Sequence, residues 1–441
     1  MLSISKRSTM SGIFCLVMLT LLLAAMTAKA LAEKPASSPA GKAKDSGVSI
    51  EELLATIKQL EGRVKELEAK QEKIAPDPAA APAAGPVSAA TPAPKPDQDA
   101  GFLSFFRSTE LSGFVDGYYG YNFNKATGDA PLRNFDTKHN QFSLNLAEIA
   151  LEKKPTTDHR LGFRMDLDYG PATEIVHSSE PGGTGIYRNF QQGYLSYLAP
   201  VGKGLQIDVG KFVTQHGAEV IETKDNWNYS RSLLFALAIP YYHMGARASY
   251  TFNDKFAFAG YLVNGWNNVV DNNTGKTVGL QAVIKPNAKW SITQNYMFGP
   301  EQLKDNDDWR HLWDTTVTYT LNPQLSLMGN YDYGMDRVSS ARVHWQGFAG
   351  YARYQANKVW AVSPRFEWYD DHDGLTTGLR QIVKEFTLTS EQKVANGLFT
   401  RLEFRRDFSD KGFFPKSLDR LVKAQSTVTL GIFYAFSSRG E

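Results

Sequence analysis

Between residues 160 and 170 large apolar side chains hold every second position. Leu161, Phe163, Met165, Leu167 and Tyr169 alternate with Arg160, Gly162, Arg164, Asp166 and Asp168. A period of two places the two sets on opposite faces of a β-strand. The same alternation returns in RLEFRRDF, where Leu402 and Phe404 interleave with Arg401, Glu403 and Arg405. It returns again in VTLGIFYAF, with Val428, Leu430, Ile432, Tyr434 and Phe436 on one face. In FSLNLAEIALEKK the pattern slips near Glu148, as a β-bulge would make it. From residue 102 to the end the chain reads as about sixteen such strands.

The spacing between the strands decides which face is inside. Short connections such as APVGKG, NDK, KPNAK and LNPQ alternate strictly with long polar ones such as KATGDAPLRNFDTK, NNVVDNNTG and DHDGLTTG. A meander with short turns at one end and long loops at the other is the form of a transmembrane β-barrel. The series begins and ends with a long connection, which gives an even strand number and brings both ends of the barrel to the short-turn side. A propeller would repeat about every 40 residues, and no such repeat is present. The fold class is therefore an all-β, antiparallel membrane barrel whose apolar faces look outward. Tyr119, Tyr121, Tyr169, Trp313, Tyr319, Tyr333, Trp368 and Tyr434 suit its interfacial girdles.

Ahead of the barrel the pattern changes four times. Residues 1–32 read as a signal peptide: Lys6 and Arg7, the apolar run GIFCLVMLTLLLAAM, then cleavage after Ala30 or Ala32. Residues 33–49 have the composition of a disordered segment. Residues 50–74 carry a heptad seam of Ile50, Leu53, Ile57, Leu60, Val64, Leu67, Gln71 and Ile74, which predicts a self-associating α-helical coiled coil. Residues 75–101 form a Pro/Ala-rich linker able to span roughly 75 Å as extended chain. Residues 102–441 are the barrel.

Composition narrows the function. Cleavage would remove three basic and no acidic residues, leaving 45 Lys and Arg against 46 Asp and Glu. That balance predicts no nucleic-acid partner. The single cysteine, Cys15, falls in the predicted signal, so disulfides, thiolate metal sites and cysteine nucleophiles are not expected. HExxH, Walker and GxSxG motifs are absent, and the eight histidines lack ligand spacing. No cofactor or resident metal is predicted. The acidic runs DNDD at 305–308 and DDHDG at 370–374 read as loop charge, with cation bridging to lipopolysaccharide as the lesser alternative.

Several stretches resemble the OmpL-like family of outer-membrane β-barrel porins. They are GKFVTQHGAEV at 210–220, NYSRSLLFALAIPYYHMGARASYTF at 228–252, YLVNGWNN at 261–268 and RLEFRRDFSD at 401–410. The resemblance implies a channel for passive diffusion of small hydrophilic solutes or ions, a Gram-negative outer membrane with its lipid and lipopolysaccharide, and a homo-oligomer, with a trimer favoured. It supplies no site residues. The last strand departs from the usual pattern, because SSRGE follows Phe436. The alternatives are a structural or adhesive barrel with a plugged lumen and, further off, a barrel hydrolase.

In general porins the third long loop enters the barrel. Here that connection, about 214–241, is the longest and contains the apolar run LLFALAIP. It is expected to form a constriction, with Glu219, Glu222 and Asp225 facing a wall that includes Arg164, Arg247, Arg401 and Arg405. The competing expectation is that the run begins the sixth strand or packs at a trimer interface. Other predicted lumen charges are Arg160, Arg365, Asp166, Asp168, Asp208, Glu367, Glu403 and Asp407; together with Arg164, Arg247, Arg401 and Arg405 they make six arginines against six carboxylates.

Overall fold

A computed structural model describes residues 105–440, apart from 126–127, 179, 181–187 and 417–419. The expected signal, disordered segment, coiled coil and linker lie outside the described residues.

Sixteen strands close into an antiparallel barrel in sequence order. They are β1 (Glu110–Asn122), β2 (Gln141–Lys153), β3 (Leu161–Tyr169), β4 (Phe190–Ala199), β5 (Leu205–Val213), β6 (Tyr242–Asn253), β7 (Phe256–Val263) and β8 (Thr277–Ile284). The series continues with β9 (Trp290–Pro300), β10 (Trp309–Asn322), β11 (Leu325–Val338), β12 (Ala341–Gln355), β13 (Trp360–Asp371), β14 (Gln381–Ala395) and β15 (Leu398–Ser409). Two-residue strands β16 (Phe414–Pro415) and β17 (Leu421–Val422) pair within the last long connection, and β18 (Ala424–Ser437) returns to close on β1. Closure gives each strand two partners, which lipid demands because it offers the backbone no hydrogen bonds.

Alternation sorts the faces as the sequence predicts. Pro364, Leu388, Phe404, Val428 and Tyr121 form one outward row across five strands. One residue along, Arg365, Thr387, Arg405 and Thr427 form an inward row. Leu195, Leu402 and Phe366 are exposed, whereas Arg401 and Arg405 are buried. The slip near Glu148 is a bulge: Asp116 pairs with Leu146 and Gly117 with Leu144, so Asn145 is the extra residue. Its amide is used, donating to Asp116 Oδ2 at 2.6 Å.

The long connections sit at one end and fold back. A short helix α1 (Pro171–Val176) opens the β3–β4 connection, with Ala172 and Val176 buried. Just beyond it, Glu180 lies 3.0 Å from His177 Nδ1 and 2.9 Å from Lys211 Nζ. Burial raises the Glu180 carboxyl, but the hydrogen bonds from His177 and Lys211 and the Lys211 charge outweigh it and hold the group at about 2. Burial pushes the His177 imidazole below its ordinary value. The acidic runs are structural: Asp305 Oδ1 accepts from the Asp307 and Asp308 amides, and Asp371 Oδ2 accepts from the Thr376 and Thr377 amides.

Candidate functional site: the loop inside the barrel

The β5–β6 connection runs through the lumen. LLFALAIP neither begins β6 nor faces outward. Leu234–Ala238 is a π-helical turn, with Leu233, Leu234, Phe235 and Ala238 buried among Phe135, Trp345 and Tyr369. Inside a wall of polar side chains, an apolar segment reaches a water-poor environment by packing on the few apolar lumen residues. Trp345 on β12 also donates its indole N–H to Ala238 O at 3.2 Å.

Backbone groups that lack a ladder are met by wall side chains, as buried polar groups require. The Gly217 amide donates to Asp314 on β10 at 2.9 Å, and the Ala218 amide to Asn330 on β11 at 3.1 Å. Glu367 on β13 accepts the Leu233 amide at 2.7 Å. Glu403 on β15 accepts the Tyr229 and Ser230 amides at 2.7 and 3.0 Å. On β1, Asp116 takes the Thr223 and Tyr229 hydroxyls at 2.6 and 2.9 Å. Asn228 reaches Ser363 O at 2.9 Å, beside Pro364, where the β12–β13 pairing is interrupted.

Three arginines hold the loop carbonyls. Arg401 donates to Thr223 O, Asn226 O and Asn228 O at 2.8, 2.6 and 3.0 Å. Arg405 donates to Arg231 O at 2.6 Å, and Arg365 donates to Ser230 O at 2.7 Å. Arg365 also pairs with Glu219, Glu367 and Glu385.

This arrangement corrects the expected pairing across a pore. Arg365, Arg401, Glu403 and Arg405 are on the lumen face, but the loop covers them, and they bind its backbone rather than line water. Glu219 faces Arg365, not Arg164, Arg247, Arg401 or Arg405. Asp225 meets its own neighbour Lys224 at 2.5 Å. Glu222 lies toward carboxylates, with Glu148, Asp166 and Asp168 in its electrostatic neighbourhood. The reason is geometric: alternation tells which face a side chain takes, not whether another segment lies on that face.

The loop lies to one side. Among the described residues, its hydrogen bonds from 215 to 240 reach the wall at β1, β8–β15 and none of β2–β5. On that open side Asp225, Lys224, Arg164 and Arg247 keep contact with solvent, whereas Glu148, Asp166, Asp168 and Asp208 are buried. Asp225 and Lys224 are 55% and 29% exposed, Arg164 is 29% and Arg247 is 21%, against 1% for Arg401 and Arg405. Arg164 is 2.9 Å from Asp166, which also accepts from Gln192 at 2.5 Å. Arg247 is 2.8 Å from Asp208 and lies over the Tyr194 and Phe212 rings. Asp168 is fully buried on the same wall. Asp116, Glu148, Asp314, Asn330 and Glu385 were not singled out in the sequence. The inward register of their strands was the available signal.

Comparison with known proteins places this geometry. The model of the family described as "Putative beta-barrel porin-2, OmpL-like" matches residues 108–436. The anion-selective porin from Comamonas acidovorans superposes with a TM-score of 0.52 at 11% identity, covering 75% of this chain and 99% of that one. The outer membrane channel DcaP of Acinetobacter baumannii gives 0.51 at 10% identity, over 74% and 97% of the two chains. OmpT of Vibrio cholerae, in a trimer form, gives 0.51 at 12% identity, over 74% and 99%. At such identities the likeness is one of fold. No curated protein sequence matches the chain.

Proposed function

Given that the chain belongs to the OmpL-like β-barrel porin family, and is therefore an outer-membrane channel and not an enzyme, we propose that its small hydrophilic solutes pass between the edge of the 214–241 loop and the β2–β6 wall. The observation that carries this reading is the contrast in exposure between the two sides of the loop. Arg365, Arg401, Glu403 and Arg405 anchor the loop, while Lys224 and Asp225 on the loop edge and Arg164 and Arg247 on the wall keep contact with solvent. Groups of both signs on opposite walls orient a polar solute as it crosses. Passage is passive, with width and wall charge setting which solutes cross.

We also propose a trimer, with the 50–74 heptads on the periplasmic side supporting self-association and the 75–101 linker separating them from the barrel. The trimer form of OmpT, a fold relative, supports that stoichiometry. Aromatic outward residues would meet lipid and lipopolysaccharide.

Planar-bilayer recording on refolded protein tests the route. Single-channel steps are expected, and Glu222→Ala with Asp225→Ala should change both conductance and ion selectivity. An absence of steps would indicate a plugged lumen. Unchanged selectivity in the double variant would place the passage elsewhere.

A further inference from the structure

At the end of the barrel that carries the long connections, β11 turns into β12 through only Ser339 and Ser340. Their φ values of 51° and 67° are those of a tight two-residue hairpin turn. Beside this turn Arg337 and Arg342 stand directly opposite each other. They share the outward face of their strands with Met335, Tyr333, His344 and Phe348, and both residues are exposed. Like charges directly opposite on paired strands repel. Among the described residues, neither guanidinium has a carboxylate within 4 Å. The acids nearby are already engaged. Asp308 accepts the Ser340 amide at 2.9 Å, and Asp305 accepts the Asp307 and Asp308 amides. Asp373 takes the His344 amide at 2.9 Å and lies 3.0 Å from His344 Nδ1.

The two arginines line a pocket of ≈ 360 Å³ with Trp309, His311, Met335 and Asp307. Asp307, its one carboxylate, pairs with neither arginine. The lining thus joins two guanidinium groups to the apolar surface of Trp309 and Met335. Trp313 and Tyr333, outward and 47% and 40% exposed, lie one step further along the same strands. Outward aromatic residues near strand ends mark the membrane–water boundary. Two more cations follow on this face: Lys384 opposite Trp368 and Arg406 opposite Phe386, both exposed. A free anion would use the guanidinium groups and leave Trp309 and Met335 without a role, whereas an amphiphile uses both. We propose that this pocket binds a phosphate group of outer-leaflet lipopolysaccharide, with Arg337 and Arg342 donating to its oxygens and Trp309 and Met335 meeting its apolar part. Guanidinium forks match phosphate oxygens, and an anion between the arginines turns their repulsion into attraction. The site rests on the reading that the long connections face the exterior and that outward aromatic residues meet lipopolysaccharide.

The probe is bisphosphorylated lipid A in mixed micelles, titrated into the full refolded chain, with bound lipid counted by native mass spectrometry. Saturable binding is expected for the natural sequence. Arg337→Gln with Arg342→Gln should weaken it by about tenfold or more, the scale of lost hydrogen bonds to a charged group. Lys285→Gln with Lys289→Gln removes equal charge from the exposed β8–β9 turn at the opposite end and should leave binding unchanged. Lipid A stripped of its phosphates should bind the natural protein as weakly as the arginine variant binds the intact lipid. Heat-dependent gel mobility verifies that each barrel has closed. Equal binding of intact lipid A by the arginine variant overturns the proposal. Full displacement of the lipid by millimolar inorganic phosphate also overturns it and assigns the pocket to a free anion. A changed oligomeric state with lipid binding intact overturns it too, and assigns the pair to a contact with a second copy. Both arginines lie outside the lumen, so the variant should keep the natural conductance. A missing conductance therefore sinks the proposed route alone, because lipid binding still decides the site.

Discussion

Arg365 Nη1 stands 2.8 Å from Glu219 Oε1, and both side chains are buried. One partner belongs to β13 and the other to the loop inside the barrel, so this contact holds the loop across the lumen. The same guanidinium also meets Glu367 and Glu385. Removing it strands three carboxylates and the Ser230 carbonyl.

Arg365→Met should therefore unseat the loop while the barrel remains closed. Loss of one partner of a buried pair costs about 3–5 kcal/mol. Larger and noisier single-channel steps are expected, together with faster proteolysis between residues 214 and 241. Unaltered steps in a folded variant would mean that the loop does not set the width.

Small residues under the loop make a second test. A Cβ on Gly431 would stand 2.3 Å from the Tyr229 ring, and one on Gly347 would stand 2.5 Å from Leu234 Cδ2. Gly431→Val should displace Tyr229 at an overpacking cost of about 1–3 kcal/mol. The expected readout is a raised conductance with little change in strand content by circular dichroism.

The outward face is tested at Leu195, which is 71% exposed at the middle of β4. Leu195→Arg should destabilise folding into vesicles by about 2–4 kcal/mol if the position is near the midplane. Leu195→Ile should change it little. Equal stabilities would mean that this face does not meet lipid.

Acid should loosen the β3–β4 connection before the barrel. The Glu180 carboxyl is held at about 2 in the fold, so its stabilisation is present above its unfolded value near 4.3 and lost as pH falls toward the folded value. His177 is depressed as well, and below about 6.5 the unfolded state takes up its proton first. Both act in the same direction. Amide protection factors at residues 171–178, taken against the intrinsic exchange rate at each pH, should fall as pH drops from 7 to 3, and His177→Ala should remove the upper part of that fall.

The barrel was legible because lipid imposes one simple rule on every strand. Leu161 to Tyr169 pointed outward and Arg164 to Asp168 inward, as their alternation required, and even the Asn145 bulge left its mark in the slipped pattern near Glu148. The entry of LLFALAIP into the lumen followed from the mismatch between an apolar run and a solvated loop. The partners of that loop were not legible. Arg401 and Glu403 read identically whether they face water or backbone carbonyls, because periodicity records a direction and not what occupies the space ahead. Glu148 and Asp168 became neighbours only once the register across β2 and β3 was known.

Tyr229 carries one more consequence. Its hydroxyl binds Asp116 on β1, its amide binds Glu403 on β15, and its ring covers Gly431 on β18, the strand between them. These three strands meet only where the first and last segments of the meander join. Without that junction, Tyr229 lacks its Asp116 partner. Full seating of Tyr229 therefore requires the closed cylinder, because its three partners stand on the strands at the seam.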